Sequence, residues 1–220
     1  CIRDRNYIDE PLVLVRKLDD SISCLSNVCT HRANIIVHNP SEQKNLRCLY
    51  HGRKFSLDGE FKSMPDFEEA KNFPRDCENL KSFPVSRLGP FLFTSLEPEF
   101  NIKKIFDEIA SRLSFFKFEK LVERPDLTSE HIVKANWAIY CENYLDPFHI
   151  PFVHKELTSV LDINQYKTEI YDNYNLQIGY SKDDEDSFEI PEGNKDFGKK
   201  ISAYYYCLLY TSDAADESSS

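Results

Sequence analysis

Residues 29–52 read CTHRANIIVHNPSEQKNLRCLYHG and contain two cysteines and three histidines. Four of the five form two mixed pairs, Cys29 with His31 and Cys48 with His51, with sixteen residues between His31 and Cys48. Thiolate and imidazole together suit zinc or an iron–sulfur centre rather than magnesium or calcium. A zinc site usually opens with a close pair of cysteines and closes with a close pair of histidines. Here each pair mixes the two. That alternation suits a [2Fe–2S] cluster in which one iron takes both thiolates, one from each loop, and the other takes both imidazoles. Neutral histidines leave less charge on the iron, and the potential rises by several hundred millivolts over an all-cysteine cluster. Gly52 allows close backbone approach just after the second pair. His38 has no place in the pattern and reads as a surface or turn residue. Cys24 lies in an expected strand and reads as a small buried hydrophobe.

Outward from this stretch, residues 12–95 have strand character. LVLVRK and SISCL flank Asp19-Asp20, and the stretches around Cys48 and Phe55 turn at Asp58-Gly59, a strong hairpin signal. PVSRLGPFLFTSL is a further strand pair broken by Gly89-Pro90. These short strands predict a small all-β domain. From Glu99 the period changes: Ile102, Ile105, Phe106, Ile109 and Leu113 fall at helical spacing. FFKFEKLVE alternates like a strand. HIVKANWAIYCENYLDPFHIPFVHKEL reads as a strand running into a helix, and YKTEIYDNYNLQIGYSK as one or two more strands.

The helix holds a second constellation. Asp146 and His149 are three residues apart and share a face on a regular helix. His149 and His154 are five apart, about 140° out of phase at 3.6 residues per turn, so convergence on one ion needs an irregular turn, for which Pro151 gives a reason. Two imidazoles and one carboxylate form the facial triad of non-haem Fe(II) oxygenases, with positions left open for O₂.

NVCTHR and CLYHG resemble the two ligand loops of a Rieske [2Fe–2S] domain, and NWAIYCENYLDPFHIPFVH resembles the catalytic signature of Rieske-type aromatic-ring-hydroxylating oxygenase large subunits. The resemblance extends over about residues 1–200. The family's usual loops read closer to CPHRG and CPYHGW; this chain has Thr30, Ala33, Leu49 and Arg53 at the departures, none of them a ligand. The resemblance implies an all-β Rieske domain over 1–95 and the truncated start of an α+β, helix-grip type catalytic domain over 96–203. It implies Cys29, His31, Cys48 and His51 as cluster ligands and His149 and His154 as ligands of a mononuclear Fe(II). Asp146 would bridge toward His51 of a neighbouring subunit and hydrogen-bond His149, and Asn143 would lie near the iron. The third ligand, a carboxylate, is expected beyond the end of the sequence; Asp162, Glu169 and Asp183 read as ordinary surface charges. A ferredoxin or flavin reductase would donate electrons to a homotrimer, with or without a β subunit. The substrate would be a small molecule oxidised with O₂, an aromatic ring by preference, with a quaternary ammonium compound of the choline or carnitine type as the alternative. A Rieske electron carrier without an oxygenase site is the reading from a different class.

Composition narrows the field further. A formal net charge of -10 argues against nucleic acid as a partner, and no run is long enough to span a membrane. Seven cysteines, with no closed framework, suit a cytoplasmic protein. The chain opens at Cys1 without a signal-peptide pattern and reads as an internal piece of a longer protein. At the other end CLLYTSDAADE resembles translated sequencing-adapter read-through, so residues 204–220 are expected to form a non-native tail.

Overall fold

The computed structural model describes residues 2–4, 10–183 and 186–208. The chain divides into two compact units, Cys1–Phe106 and Asp107–Ser220. The first is β-rich and the second mixes helices with a sheet, the expected order of fold classes.

In the first unit β1 (Ile2–Asp4), β2 (Leu12–Arg16), β3 (Ile22–Ser26) and β7 (Ser82–Phe83) form one antiparallel sheet in that order. A second sheet joins β4 (Leu46–Arg47), β5 (Lys54–Phe55) and β6 (Phe61–Ser63), and a hairpin joins β8 (Val85–Leu88) to β9 (Phe91–Thr94). The turn signals act as expected. Asp20 takes φ 62° between β2 and β3, while the Asp19 carboxylate accepts from the Ser21 backbone and hydroxyl. Gly59 takes φ 86° between β5 and β6. Val13, Val15, Leu25, Ile36, Val37, Leu46, Phe55 and Leu80 pack into one core, and Cys29 and Cys48 belong to it. Cys24 packs with Leu12 and Phe83 in a smaller cluster, as a small hydrophobe would. His38 is exposed on the long loop before β4.

Helix α1 (Ile102–Arg112) buries Ile105, Phe106 and Ile109, the stripe its spacing predicts. In the second unit β10 (Lys167–Tyr171), β11 (Tyr174–Tyr180) and β12 (Ile201–Cys207) form an antiparallel sheet. Three expectations change here. FFKFEKLVE holds a 3₁₀ turn, Phe118–Lys120, and no strand. HIVKAN is irregular, with Ile132 and Val133 exposed. Alternation makes a strand only where a neighbour satisfies the backbone groups, and neither segment has one among the described residues. Finally, Tyr204 to Cys207, set apart with the tail in the sequence reading, pair with Ile178 to Asn175 of β11. Tyr204 and Tyr206 are half-buried there while Tyr205 is exposed, so the sheet runs through Cys207; residues 209–220 lie outside the described residues.

The second unit is tied by a buried charge network. Arg112, at the end of α1, donates from Nε to Asp196 (2.7 Å) and from Nη1 to Glu169 (2.6 Å). Asp196 is fully buried and also accepts from Lys199 (2.6 Å) and the Tyr204 hydroxyl (3.0 Å). Glu169 is therefore an ion-pair partner, not the plain surface charge the sequence suggests. Asp162 does serve a local role: it caps the 3₁₀ turn Ile163–Gln165, accepting from Asn164 N–H. Among the described residues no helix is long and apolar enough to cross a membrane.

Candidate functional site

The two Cys/His loops are the same backbone turn, built twice. In the first, Cys29 N–H donates to Asn34 O (2.8 Å) and Ala33 N–H returns to Cys29 O (2.9 Å). In the second, Cys48 N–H donates to Arg53 O (2.9 Å) and Gly52 N–H returns to Cys48 O (3.0 Å). A bridge between Val28 and Ile35 closes the first, and the Arg47–Lys54 pair of β4 and β5 closes the second. The fifth residue of each has left-handed backbone, Ala33 at φ 52° and Gly52 at φ 74°. Ala33 thus occupies a conformation that favours glycine, which gives its departure from the usual loop pattern a physical consequence.

Equivalent frames put the cysteines in the core and the histidines outside. Cys29 and Cys48 are buried, His31 is half-buried and His51 is exposed. The two thiols are near enough to perturb each other's titration. The imidazole centroids are 4.7 Å apart and meet edge to face. The backbone N–H groups of His31, near Cys29, and of Tyr50 and His51, near Cys48, favour the thiolate forms, and Asn34 Nδ2 lies 3.7 Å from Cys48 Sγ. Burial pushes the Cys29 thiol up. It pushes Cys48 up as well, but the N–H groups and the Cys29 and Asn34 contacts outweigh it and leave Cys48 below its ordinary value. Burial also lowers the His31 pKa, and the charges of His51 and Arg53 lower it further.

These residues fit a [2Fe–2S] group. Two buried sulfurs, two imidazoles in contact outside them and the Asn34 amide at 3.7 Å from Cys48 Sγ could supply two thiolate and two imidazole ligands and a hydrogen bond of the kind that tunes such clusters. Among the described residues no group of three or more His, Cys, Asp or Glu is gathered around one point.

The departures Thr30 and Arg53 turn out to be one feature. Arg53 is buried and its Nη1 donates to Thr30 Oγ1 (2.7 Å) and Glu78 Oε2 (2.8 Å). Thr30 Oγ1 donates to Glu78 O (2.8 Å). Arg75 holds the other Glu78 oxygen from Nη2 (2.9 Å) and Nε (3.1 Å). The Arg53 guanidinium also faces the rings of Phe61 and Phe73, at 5.2 and 5.6 Å. Sequence reasoning missed Glu78; an arginine where an aromatic residue is usual was the signal to look for a buried carboxylate.

The second constellation is arranged differently from expectation. Helix α2 (Trp137–Leu145) starts at Asn136, whose side chain caps it by accepting from Ala138 N–H (2.9 Å). It ends before Asp146, whose backbone is extended (φ -92°, ψ 105°). Asp146 and His149 therefore share no helix face. The Asp146 carboxylate accepts from Phe148 N–H (2.8 Å), and among the described residues it makes no hydrogen bond to His149. The break falls at Pro147, which cannot continue the helix and disfavours helical backbone in the residue before it; Pro151 sits in the first turn of α3 (Ile150–Val153), where proline is tolerated. His149 and His154 flank α3, and His154 (φ -108°, ψ 73°) separates it from α4 (Lys155–Val160). That bend cancels the phase mismatch and brings the two imidazoles to 5.1 Å, edge to face. Asn143 is exposed on α2, as is Asp146 beyond it. The two imidazoles thus lie side by side, with no carboxylate grouped with them among the described residues.

Residues 2–84 match the family model of the Rieske [2Fe-2S] domain. Chloroplastic choline monooxygenase of Arabidopsis thaliana is 30% identical over 197 residues, covering 82% of this chain and 46% of that protein. The carnitine monooxygenase oxygenase subunit of Escherichia coli (strain K12) is 29% identical over 194 residues, covering 86% and 51%. The chain spans about half the length of these curated relatives. Among solved structures, a quaternary ammonium Rieske monooxygenase, described for carnitine oxidation and inter-subunit electron transfer, superposes with a TM-score of 0.63 at 21% identity over 86% of this chain and 52% of its own. A naphthalene 1,2-dioxygenase variant superposes with a TM-score of 0.55 at 24% identity over 78% and 43%. The chain has the fold of a Rieske-type non-haem iron oxygenase large subunit over the part it spans, a β-rich Rieske domain followed by a mixed α/β domain.

Proposed function

We propose that the chain is part of an oxygenase that feeds electrons from a Rieske cluster to a mononuclear iron and oxidises a quaternary ammonium compound. The observation behind the reaction class is that one chain holds both a two-thiolate, two-imidazole loop pair and, at the two ends of one short helix, a second histidine pair. An electron carrier needs only the first. The substrate class differs from the aromatic ring that commonness alone favours. It rests on the relatives, which are named for choline and carnitine at 29–30% identity. Quaternary ammonium groups bind to aromatic faces, and Tyr140 and Tyr144 lie one turn apart on α2 with centroids 5.5 Å apart.

In this reading Cys29 and Cys48 hold one iron of the cluster, His31 and His51 the other, and His149 and His154 hold the mononuclear Fe(II). When bound, the cluster supplies single electrons and the mononuclear iron supplies oxygen activation. The chain's own residues do the rest. The core holds the thiol side of the loops rigid and keeps water from it. His51 stands at the exposed edge, its ring 3.9 Å from the Tyr50 ring, and presents an imidazole to a partner subunit. The exposed Asp146, steadied by Phe148 N–H, presents a carboxylate to meet such an imidazole. Because that contact forms between copies, a cyclic trimer is the natural assembly, with a ferredoxin or flavin reductase as donor; a β subunit is an option the fold leaves open.

The test is substrate-dependent O₂ consumption and product analysis with the complete protein and a reductase, offering choline, carnitine, γ-butyrobetaine and naphthalene. Oxidation of a quaternary ammonium compound is expected. Turnover of the aromatic ring alone would overturn the substrate reading, and failure to bind iron beyond the cluster would reduce the protein to an electron carrier.

A further inference from the structure

We infer that Arg53 is a positioning residue that raises the reduction potential of the group held by the two Cys/His loops, by fixing a buried cation between them. This rests on the [2Fe–2S] reading of those loops and on nothing about substrate. Three observations point to it. First, Arg53 takes the position in the second loop that Asn34 takes in the first, each being the residue whose carbonyl accepts from the loop cysteine. Each side chain crosses to the opposite loop, Asn34 to Cys48 Sγ and Arg53 to Thr30 Oγ1, between Cys29 and His31. The guanidinium therefore sits against both ligand loops at once.

Second, its counter-ion is shared. Glu78 is the buried counter-ion, but its carboxylate is shared with Arg75, so one anion faces two cations. Arg75 is largely exposed, with 68% of its side chain accessible, and water screens it; Arg53 keeps 3% and is screened little. A positive charge in a poorly screened place favours the more negative, reduced state of a nearby redox group, and cluster potentials respond to local charge and hydrogen bonding. Third, Arg53 Nε is a buried donor with no hydrogen-bond partner among the described residues. Buried donors are nearly always satisfied, and this one lies on the side chain that bridges the two loops.

The geometry also explains two of the four departures from the usual loop sequences. Thr30 supplies the hydroxyl that receives Arg53 and in turn donates to Glu78 O, so the two substitutions form one linked unit.

The experiment is spectroelectrochemical titration of the cluster in the complete protein and in Arg53→Met, Arg53→Lys and Glu78→Gln, with visible and EPR spectra recording that the cluster is present. Arg53→Met is expected to weaken reduction about tenfold, roughly 59 mV for one electron. Arg53→Lys should restore most of that, and Glu78→Gln should move the potential the other way, upward. Opposite signs distinguish charge from loose packing, which would shift Arg53→Met and Glu78→Gln alike. Intact cluster spectra with unchanged potentials would overturn the proposal, as would shifts of the same sign. Should Arg53→Met fail to assemble a cluster, the direction of the Glu78→Gln shift decides. A parent protein with no cluster spectrum would instead remove the [2Fe–2S] reading itself.

Discussion

Ala33 and Gly52 occupy equivalent positions in equivalent turns, so exchanging their residue types should have opposite effects on stability. Ala33→Gly releases left-handed strain worth about 1–2 kcal/mol for a residue with a Cβ. It also adds freedom to the unfolded chain, which costs about 0.4–1 kcal/mol. Ala33 is exposed, so no packing is lost. The net is a gain of about 1 kcal/mol. Gly52→Ala incurs the same strain at φ 74° and recovers the same unfolded-state term. In addition, the new Cβ would lie 3.2 Å from Pro65 Cγ, so the proline ring must give by a few tenths of an ångström. The net is a loss of about 1–2 kcal/mol, leaving the two variants about 2–3 kcal/mol apart by these terms. Urea titration followed by far-UV circular dichroism reads the global effect. Hydrogen exchange at the Ala33 and Gly52 amides, each bonded to its loop cysteine's carbonyl, reads the local one. Changes of the same sign at both positions would refute the equivalence of the two loops.

Three other outcomes follow from the same geometry. His31→Cys should keep a cluster and lower its midpoint potential, because a thiolate adds negative charge at the iron; an unchanged potential would count against His31 as a ligand. In the complete protein Asp146→Asn should retain all iron, by metal analysis, and lose turnover by tenfold or more, since its proposed role is the contact between subunits; normal product formation would remove that role. Asp196→Asn breaks a buried ion pair with Arg112 and should cost about 3–5 kcal/mol, measured by urea titration. The same network sets an acid limit. Arg112 holds the Glu169 carboxyl well below the carboxylate range, and at Asp196 burial is outweighed by Lys199 and Arg112, with the same net direction. Carboxyls depressed in the native state contribute fully above the unfolded-state range near pH 4 and lose that contribution as pH falls toward their native values. Asp196→Asn should therefore flatten the stability–pH profile below about pH 4; an unchanged slope there would show that the network does not carry the acid sensitivity.

What the sequence made legible was local. The Cys29/His31 and Cys48/His51 pairs announce themselves because each ligand pair lies within one turn. The Asp58-Gly59 hairpin and the stripe on α1 follow from rules of short range. The parts that escaped depend on partners distant in the chain. Arg53 meets Glu78 twenty-five residues on, and Arg112 meets Asp196 eighty-four residues on. No spacing rule joins such residues, since what pairs them is the need to neutralise a buried charge after the chain has folded. FFKFEKLVE failed for the opposite reason, because its alternating pattern is present but, among the described residues, no neighbouring strand is. In the second constellation the two imidazoles do come together, but the backbone differs from the one the spacing predicts. A helix was assumed through Asp146, whereas Pro147 stops it and moves the carboxylate off the face shared with His149.

The two constellations are held by different means, and their metal contents should differ accordingly in this chain. The thiols of the first are part of the core, and their loops are closed by backbone bonds, strand pairs and the Arg53–Glu78 brace, all within one compact unit. The second depends on helix ends. No residue of α2 is buried, and Trp137, Ile139, Tyr140, Phe148 and Phe152 are exposed by 57–82%. What places His149 against His154 is the break at Pro147 and the bend at His154, not packing. Two imidazoles without a carboxylate give a weak iron site, since affinity grows with ligand number and with the negative charge that balances the cation. The 220-residue chain, reconstituted with iron and sulfide, should therefore bind about two irons and two sulfides and lose any further iron to mild chelation. Three tightly held irons per chain would show that a carboxylate of this chain completes the second site. A stable iron without sulfide would show that the four Cys and His ligands serve a single ion.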